Sequence, residues 1–190
     1  SGGRPFLDPM CGAGTFSLEA ALMAKNIPPG WYRHFAFMGW PSFRATRWEF
    51  LRRKPAEGIR ELGRPIIFAS DIDPEACRLL EECLQRCSLA DAVSVARRDF
   101  FELDPRDVTN RPGLVALNPP YGRRIGKASE SRELADAIIA RLQSHYRGWN
   151  FILVVPAGRS RPEIGSPVRE YPFIHGGLKV NVMVGTISPG

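Results

Sequence analysis

The sequence predicts an α/β fold: a mostly parallel sheet with helices on both faces. Two observations predict it. Short β-branched apolar runs alternate with segments of helical periodicity, and an acidic or amide residue stands at or soon after the end of each of the first four runs, where open α/β sheets place their ligands. In order, residues 4–8 (RPFLD) read as a short buried strand, and a Gly12/Gly14 turn leads into a helix over 15–25. Residues 65–70 (PIIFAS) form the next strand. Its helix has a readable start, with Asp73 as cap and Pro74 at the first helical position. Ala76, Leu80, Cys83, Leu84 and Cys87 then recur at helical spacing as its buried face. Residues 93–96 and 114–117 are short enough for strands. The helix predicted over 133–146 buries Leu134, Ala137, Ile138, Arg141 and Leu142. Residues 151–155 (FILVV) are the clearest buried strand. A last strand over 180–187, alternating at Val180, Val182 and Val184, follows a Gly176-Gly177 turn. Residues 157–172 read as a mobile loop. Residues 26–64 are far longer than an ordinary connection.

At 190 residues, with 44% hydrophobic and 24% charged side chains, the chain has the size and make-up of one globular domain. That composition excludes wholesale disorder, a collagen repeat and a coiled coil. No apolar run reaches the roughly 18 residues of a membrane span, and the polar start is no signal peptide. Four cysteines without a paired pattern point to a reducing cytoplasm. The spacing of Cys77, Cys83 and Cys87 matches no zinc site, and His34, His145 and His175 have no ligand or base pattern, so no metal is expected. The net charge of +6 favours a polyanionic partner.

The first loop, Asp8-Pro9-Met10-Cys11-Gly12-Ala13-Gly14-Thr15, brings backbone close to a ligand at the mouth of a helix. Ser17 stands where a dinucleotide fingerprint needs a third glycine, and no Gly-Lys-Ser/Thr of a phosphate loop follows. An acidic strand end suits a cationic amine better than a phosphate. After the second strand, Asp71 can accept from ribose hydroxyls and Ile72 can lie against an adenine face. After the third, Asp99 can accept from an adenine amine beside the Phe100 ring. After the fourth comes Asn118-Pro119-Pro120-Tyr121. Its two prolines fix the backbone and leave carbonyls without competing donors. The Asn118 side-chain oxygen and the Pro119 carbonyl can each take one hydrogen of a nucleobase amine. That aims its lone pair at an electrophilic methyl and draws off developing positive charge. Tyr121 can stack on a base that is single-stranded or flipped out.

The segment 26–64 carries eight of the 19 aromatic residues and five of the six net positive charges. Trp31, Tyr32, Phe35, Phe37, Trp40, Phe43, Trp48 and Phe50 read mostly as a small satellite core. Arg44, Arg47, Arg52, Arg53 and Lys54 read as RNA contacts, joined by Arg123, Arg124 and Lys127 beyond the Asn-Pro-Pro-Tyr motif.

The chain resembles the class I S-adenosylmethionine-dependent amino-methyltransferases. LDPMCGAGTFSLEAA, SDIDPEA and NPPYGRR most closely resemble the THUMP-linked RNA guanine-N(2) methyltransferases, which include bacterial enzymes of large-subunit ribosomal RNA and tRNA-acting relatives. The resemblance runs from Pro5 to about Ile187, and GWPSFRATRWEFL is similar to the ribosomal branch. It implies a Rossmann-like, mostly parallel seven-stranded sheet with an antiparallel last strand. It also implies S-adenosylmethionine as cofactor and RNA as substrate, ribosomal before transfer RNA, with no membrane and no metal. By this resemblance Asp8, Gly12 and Gly14 would meet the methionine part, Asp71 the ribose, and Asp99 with Phe100 the adenine; Cys11 and Thr15 would belong to the same cofactor loop, and Ile72 to the cofactor site beside Asp71. Asn118 would lie between cofactor and substrate, and Asn118, Pro119, Pro120 and Tyr121 would position the amine. Residues 1–190 would be the catalytic domain, with a basic aromatic insert at 26–64 and without the family's upstream THUMP domain. Adenine or cytosine amines of DNA fit the same four-residue motif, and a non-catalytic RNA-binding module would keep the same fold.

Overall fold

A computed structural model describes residues 3–120, 128–157, 164 and 168–188. Seven strands form one sheet in the order β3-β2-β1-β4-β5-β7-β6. They are β1 (Phe6–Asp8), β2 (Ile67–Asp71), β3 (Val93–Arg97), β4 (Leu114–Leu117), β5 (Asn150–Pro156), β6 (Arg169–His175) and β7 (Leu178–Thr186). The first five are mutually parallel, and β7 runs antiparallel to both β5 and β6. The helices are α1 (Thr15–Ala24), α2 (Ala45–Ala56), α3 (Pro74–Arg86) and α4 (Ala128–His145). Among the described residues, no helix is long and apolar enough to cross a membrane.

Strand alternation divides the core in two. Leu7, Val115, Leu117, Phe151, Leu153 and Met183 pack with Ile138 and Leu142 of α4. Ile67, Ala69 and Val93 pack with Ala21 of α1 and Leu80 and Leu84 of α3. α3 starts as its sequence predicts, with the Asp73 side chain accepting from the Glu75 amide at 2.9 Å and Pro74 in the first turn. Its buried face is Cys77, Leu80 and Leu84; Ala76, Cys83 and Cys87 are only half-buried. In α4 the face is turned toward Ala135, Ile138, Ile139 and Leu142, so Ala137 is exposed and Leu134 half-buried.

Two expectations need correction. The loop expected over 157–172 gives way at Arg169 to β6, an edge strand with all seven residues exposed. The long segment before β2 is more regular than expected. It contains α2 and a 3-10 turn (Ala36–Gly39), and it is tied down where it begins and ends. Lys25, only 5% exposed, binds both oxygens of Asp91 at 2.5 and 2.6 Å, and Asp91 also accepts from the Leu62 amide. Of the eight rings expected mostly in a satellite core, Phe35, Phe37, Phe43 and Trp48 form one, with ring centroids 5.4–6.1 Å apart, whereas Trp31 packs against the main core and Tyr32, Trp40 and Phe50 are exposed. The Gly176-Gly177 turn joins β6 to β7 with φ of 55° and 81°, the two left-handed residues of a tight hairpin.

Candidate active site

The register sets Asp99, Asp71, Asp8 and Asn118 side by side along one edge of the sheet. Asp8 pairs with Ala69 and Asp71 with Arg97, so each acidic strand end lies at or two residues beyond its neighbour's level. Leu7 pairs with Val115, which puts Asn118 just above Asp8 on the adjoining strand. Parallel neighbours stand about 4.8 Å apart. The chain moves outward from β1 to β2 and β3 on one side and to β4 and β5 on the other. The β1/β4 boundary is therefore the point where strand order reverses, which is where open sheets of this kind bind their ligands. Asp8 and Asn118 flank it.

The loop after β1 is held from below. The Cys11 amide donates to the Ser70 carbonyl at 3.0 Å, and the Gly12 amide donates to Asp71 Oδ2 at 2.8 Å. Gly14 caps α1 with φ of 80°, and a Cβ there would lie 2.3 Å from Leu80 Cδ1, so close packing on α3 demands glycine. Gly12, at φ 50°, differs: a Cβ would meet no atom within 4 Å. The space above Gly12 is open, while the space below Gly14 is filled. Cys11 is buried, and burial pushes its thiol well above the usual range. Thr15 is exposed at the start of α1.

Asp8 is 1% exposed. Its Oδ2 accepts from the Ser17 amide at 3.1 Å and the Ser17 hydroxyl at 2.7 Å, so the strand-end carboxylate caps the first turn of α1. Burial raises its pKa to about 6, the Ser17 hydrogen bonds oppose the rise, and the charge of Asp71 adds to it. Ser17 was passed over in the sequence as a missing glycine. Its place in the first turn of a helix that follows an acidic strand end was the available signal.

Asp71 is half-buried and oriented from two sides, by the Gly12 amide and by the Asp73 amide at 3.0 Å on Oδ1. Beside it Ile72 is 63% exposed, an apolar side chain standing free at a strand end. Asp99 accepts from the Phe101 amide at 2.8 Å. Phe100 is a correction. Its ring is 2% exposed and stacks on Tyr146 with centroids 5.9 Å apart, so it belongs to the core under α4 and offers no face to an adenine. Asn118 and Pro120 are exposed and Pro119 is buried. Tyr121, Arg123, Arg124 and Lys127 lie outside the described residues.

The candidate RNA contacts of the insert divide. Arg47, Arg53 and Lys54 are exposed on α2. Arg44 is exposed and donates to the Pro41 and Phe43 carbonyls. Arg52 turns inward: its guanidinium lies 3.9 Å over the Trp31 ring and donates to the Trp31 carbonyl, so it holds the insert together.

This edge of the sheet therefore presents the half-buried Asp71 and Asp99 carboxylates, the exposed Ile72 side chain and open space over Gly12, with Asp8 buried between Asp71 and Asn118 in strand order. That set of groups fits a ligand with a cationic amino-acid end, a diol and a flat base. Among the described residues no cluster of His, Cys, Asp or Glu could hold a metal ion.

Residues 1–160 match the family model of the RMKL-like methyltransferase domain. The chain is 32% identical over 193 residues to the ribosomal RNA large subunit methyltransferase K/L of Methylococcus capsulatus, a match covering 98% of this chain and 26% of that protein. The chain thus spans about a quarter of that relative. Among solved structures, a possible methylase from Clostridium difficile superposes with a TM-score of 0.82 at 22% identity, over 99% of this chain and 49% of that one. SMU.472, solved in complex with SAH, superposes with a TM-score of 0.78 at 24% identity, over 98% and 49%. At these identities the two structures speak to the fold.

Proposed function

The chain belongs to the RMKL-like methyltransferase domain family, and from that premise we propose that it methylates the exocyclic amine of guanine in RNA, in the large-subunit ribosomal RNA of the cytoplasm, with S-adenosylmethionine as methyl donor. The observation that carries this reading is the alignment of Asp99, Asp71, Asp8 and Asn118 along one edge of the sheet, on either side of the β1/β4 boundary.

Asp8 and the backbone of Cys11, Gly12, Gly14 and Thr15 would face the amino-acid part of the donor. Asp71 would accept from its ribose hydroxyls, Ile72 would cover one adenine face, and Asp99 would accept from the adenine amine. When bound, the donor supplies an electrophilic methyl on a positively charged sulfur. The rest is the work of this chain's own groups. The guanine amine is a poor nucleophile because its lone pair is delocalised into the ring. The Asn118 side-chain oxygen and the Pro119 carbonyl each accept one amine hydrogen. They fix the nitrogen with its lone pair outward and stabilise the positive charge that grows there. Prolines 119 and 120 hold this geometry without donors that would compete for the carbonyls. The motif reaches Tyr121, which would stack on the extruded base. Residues 1–190 act as the catalytic unit, and Arg44, Arg47, Arg53, Arg123, Arg124 and Lys127 bring the RNA to that edge.

The test is Asn118→Ala. Methyl transfer to ribosomal RNA should fall below detection while affinity for S-adenosylhomocysteine stays within a few fold, measured by calorimetry. Full transfer by that variant removes the assignment.

A further inference from the structure

α2 is a helix of 12 residues without a single buried side chain. Two contacts fix its inner side: Trp48 meets the Phe35 and Phe37 rings edge-on, and Arg52 covers Trp31. A helix this short has little stability of its own in water, and a purely solvated face would not carry Phe50 at 66% exposure with Leu51 at 59%. Helical spacing puts Arg47 three residues before Phe50, and Arg53 and Lys54 three and four after it, on the same outward face. The Arg53 guanidinium lies 6.0 Å from the Phe50 ring. Glu49 is the only acidic residue of the helix, against Arg47, Arg52, Arg53 and Lys54.

We propose that the outward face of α2, centred on Phe50 and edged by Arg47, Arg53 and Lys54, docks an unpaired segment of RNA, with the ring stacking on a base and the cations meeting the phosphates on either side. The proposal rests on RNA as the substrate. It adds the residue that reads an unstacked base and separates the docking cations from Arg52, which is spent inside the insert. An aromatic ring between cations suits a single strand, because every base has a face to stack while its backbone carries regular negative charge. An acidic protein partner would meet the cations but does not repeat a flat face and a negative charge at every unit along its chain, as a single strand does.

The test is binding of a fluorescein-labelled oligoadenylate by anisotropy over a range of salt concentrations, with S-adenosylhomocysteine binding and circular dichroism as controls. Phe50→Ala should weaken RNA binding about tenfold and leave the salt dependence unchanged. Phe50→Trp should bind as well as the parent. Arg47→Ala and Arg53→Ala should each reduce the slope of log affinity against log salt by about 0.7, one phosphate contact on a single strand. All three alanine variants should bind S-adenosylhomocysteine like the parent. Parental RNA binding by Phe50→Ala overturns the proposal. So does an equal loss on a duplex of the same length, which marks a contact with the backbone alone. Loss of methyl transfer with RNA binding intact would count against the assigned reaction and not against this surface.

Discussion

Burial raises the Asp8 carboxyl from its ordinary value near 3.8 to about 6, against the pull of two hydrogen bonds from Ser17. Because the folded-state pKa lies above the unfolded one, ionised Asp8 costs the ligand-free fold about 3 kcal/mol at neutral pH. That cost is present in full above pH 6 and shrinks as pH falls through 6 toward 3.8. Asp8→Asn should therefore melt higher than the parent at pH 8, with the gap closing by pH 4.5 in paired thermal scans. A cationic ligand needs the ionised form, so affinity for S-adenosylmethionine in the parent should drop as pH falls below 6 and that of Asp8→Asn should stay low and flat. Phe100 makes the opposite case. A ring stacked on Tyr146 inside the core should tolerate Phe100→Leu at a cost of about 1 kcal/mol with cofactor affinity unchanged; a tenfold loss of affinity at parental stability would return Phe100 to the site. The strand-end positions of Asp8, Asp71 and Asn118 were legible because each follows directly on an apolar run, and that of Asp99 because only Arg97 and Arg98 separate it from one. Phe100 was misread because its partner, Tyr146, lies far along the chain on α4, and nothing local separates a core ring from a stacking one.

At the scale of elements, the two glycines of the first loop do different work. Gly14→Ala drives a Cβ into Leu80 and should lower stability sharply, with cofactor binding lost as a consequence of the displaced loop. Gly12→Ala pays only the left-handed backbone penalty of about 1 kcal/mol, yet it fills the open space above the loop. Calorimetry should find it folded and at least tenfold weaker for cofactor. The insert hangs on Lys25 and Asp91. Asp91→Ala leaves the Lys25 ammonium buried and unpaired, a loss of about 3 kcal/mol, and limited proteolysis should then cut first within 26–64. Strands with two buried faces, such as β5, were easy to read. β6 was not, because an edge strand exposed along its whole length and containing Pro172 has no apolar alternation to show. α2 escaped for the same reason: a helix without a buried stripe has no period to detect.

Across the whole molecule, the seven strands serve mainly to bring four polar strand ends, far apart in sequence, to one edge at the β1/β4 boundary, while the basic insert between α1 and β2 packs Ile27, Trp31, Ile59 and Leu62 against the core under α1 and α3 and holds α2 away from it. On the proposed reading catalysis and RNA capture are separable: changes at Asn118 should abolish transfer without releasing RNA, and changes on α2 should weaken RNA binding without disturbing the cofactor. The most direct measurement is nucleoside mass spectrometry of ribosomal RNA digested from cells with and without the gene. Loss of N(2)-methylguanosine from the large-subunit fraction, restored by the parent gene and not by Asn118→Ala, is the predicted result. An unchanged nucleoside profile in that fraction, from a protein that still binds S-adenosylmethionine, would contradict it.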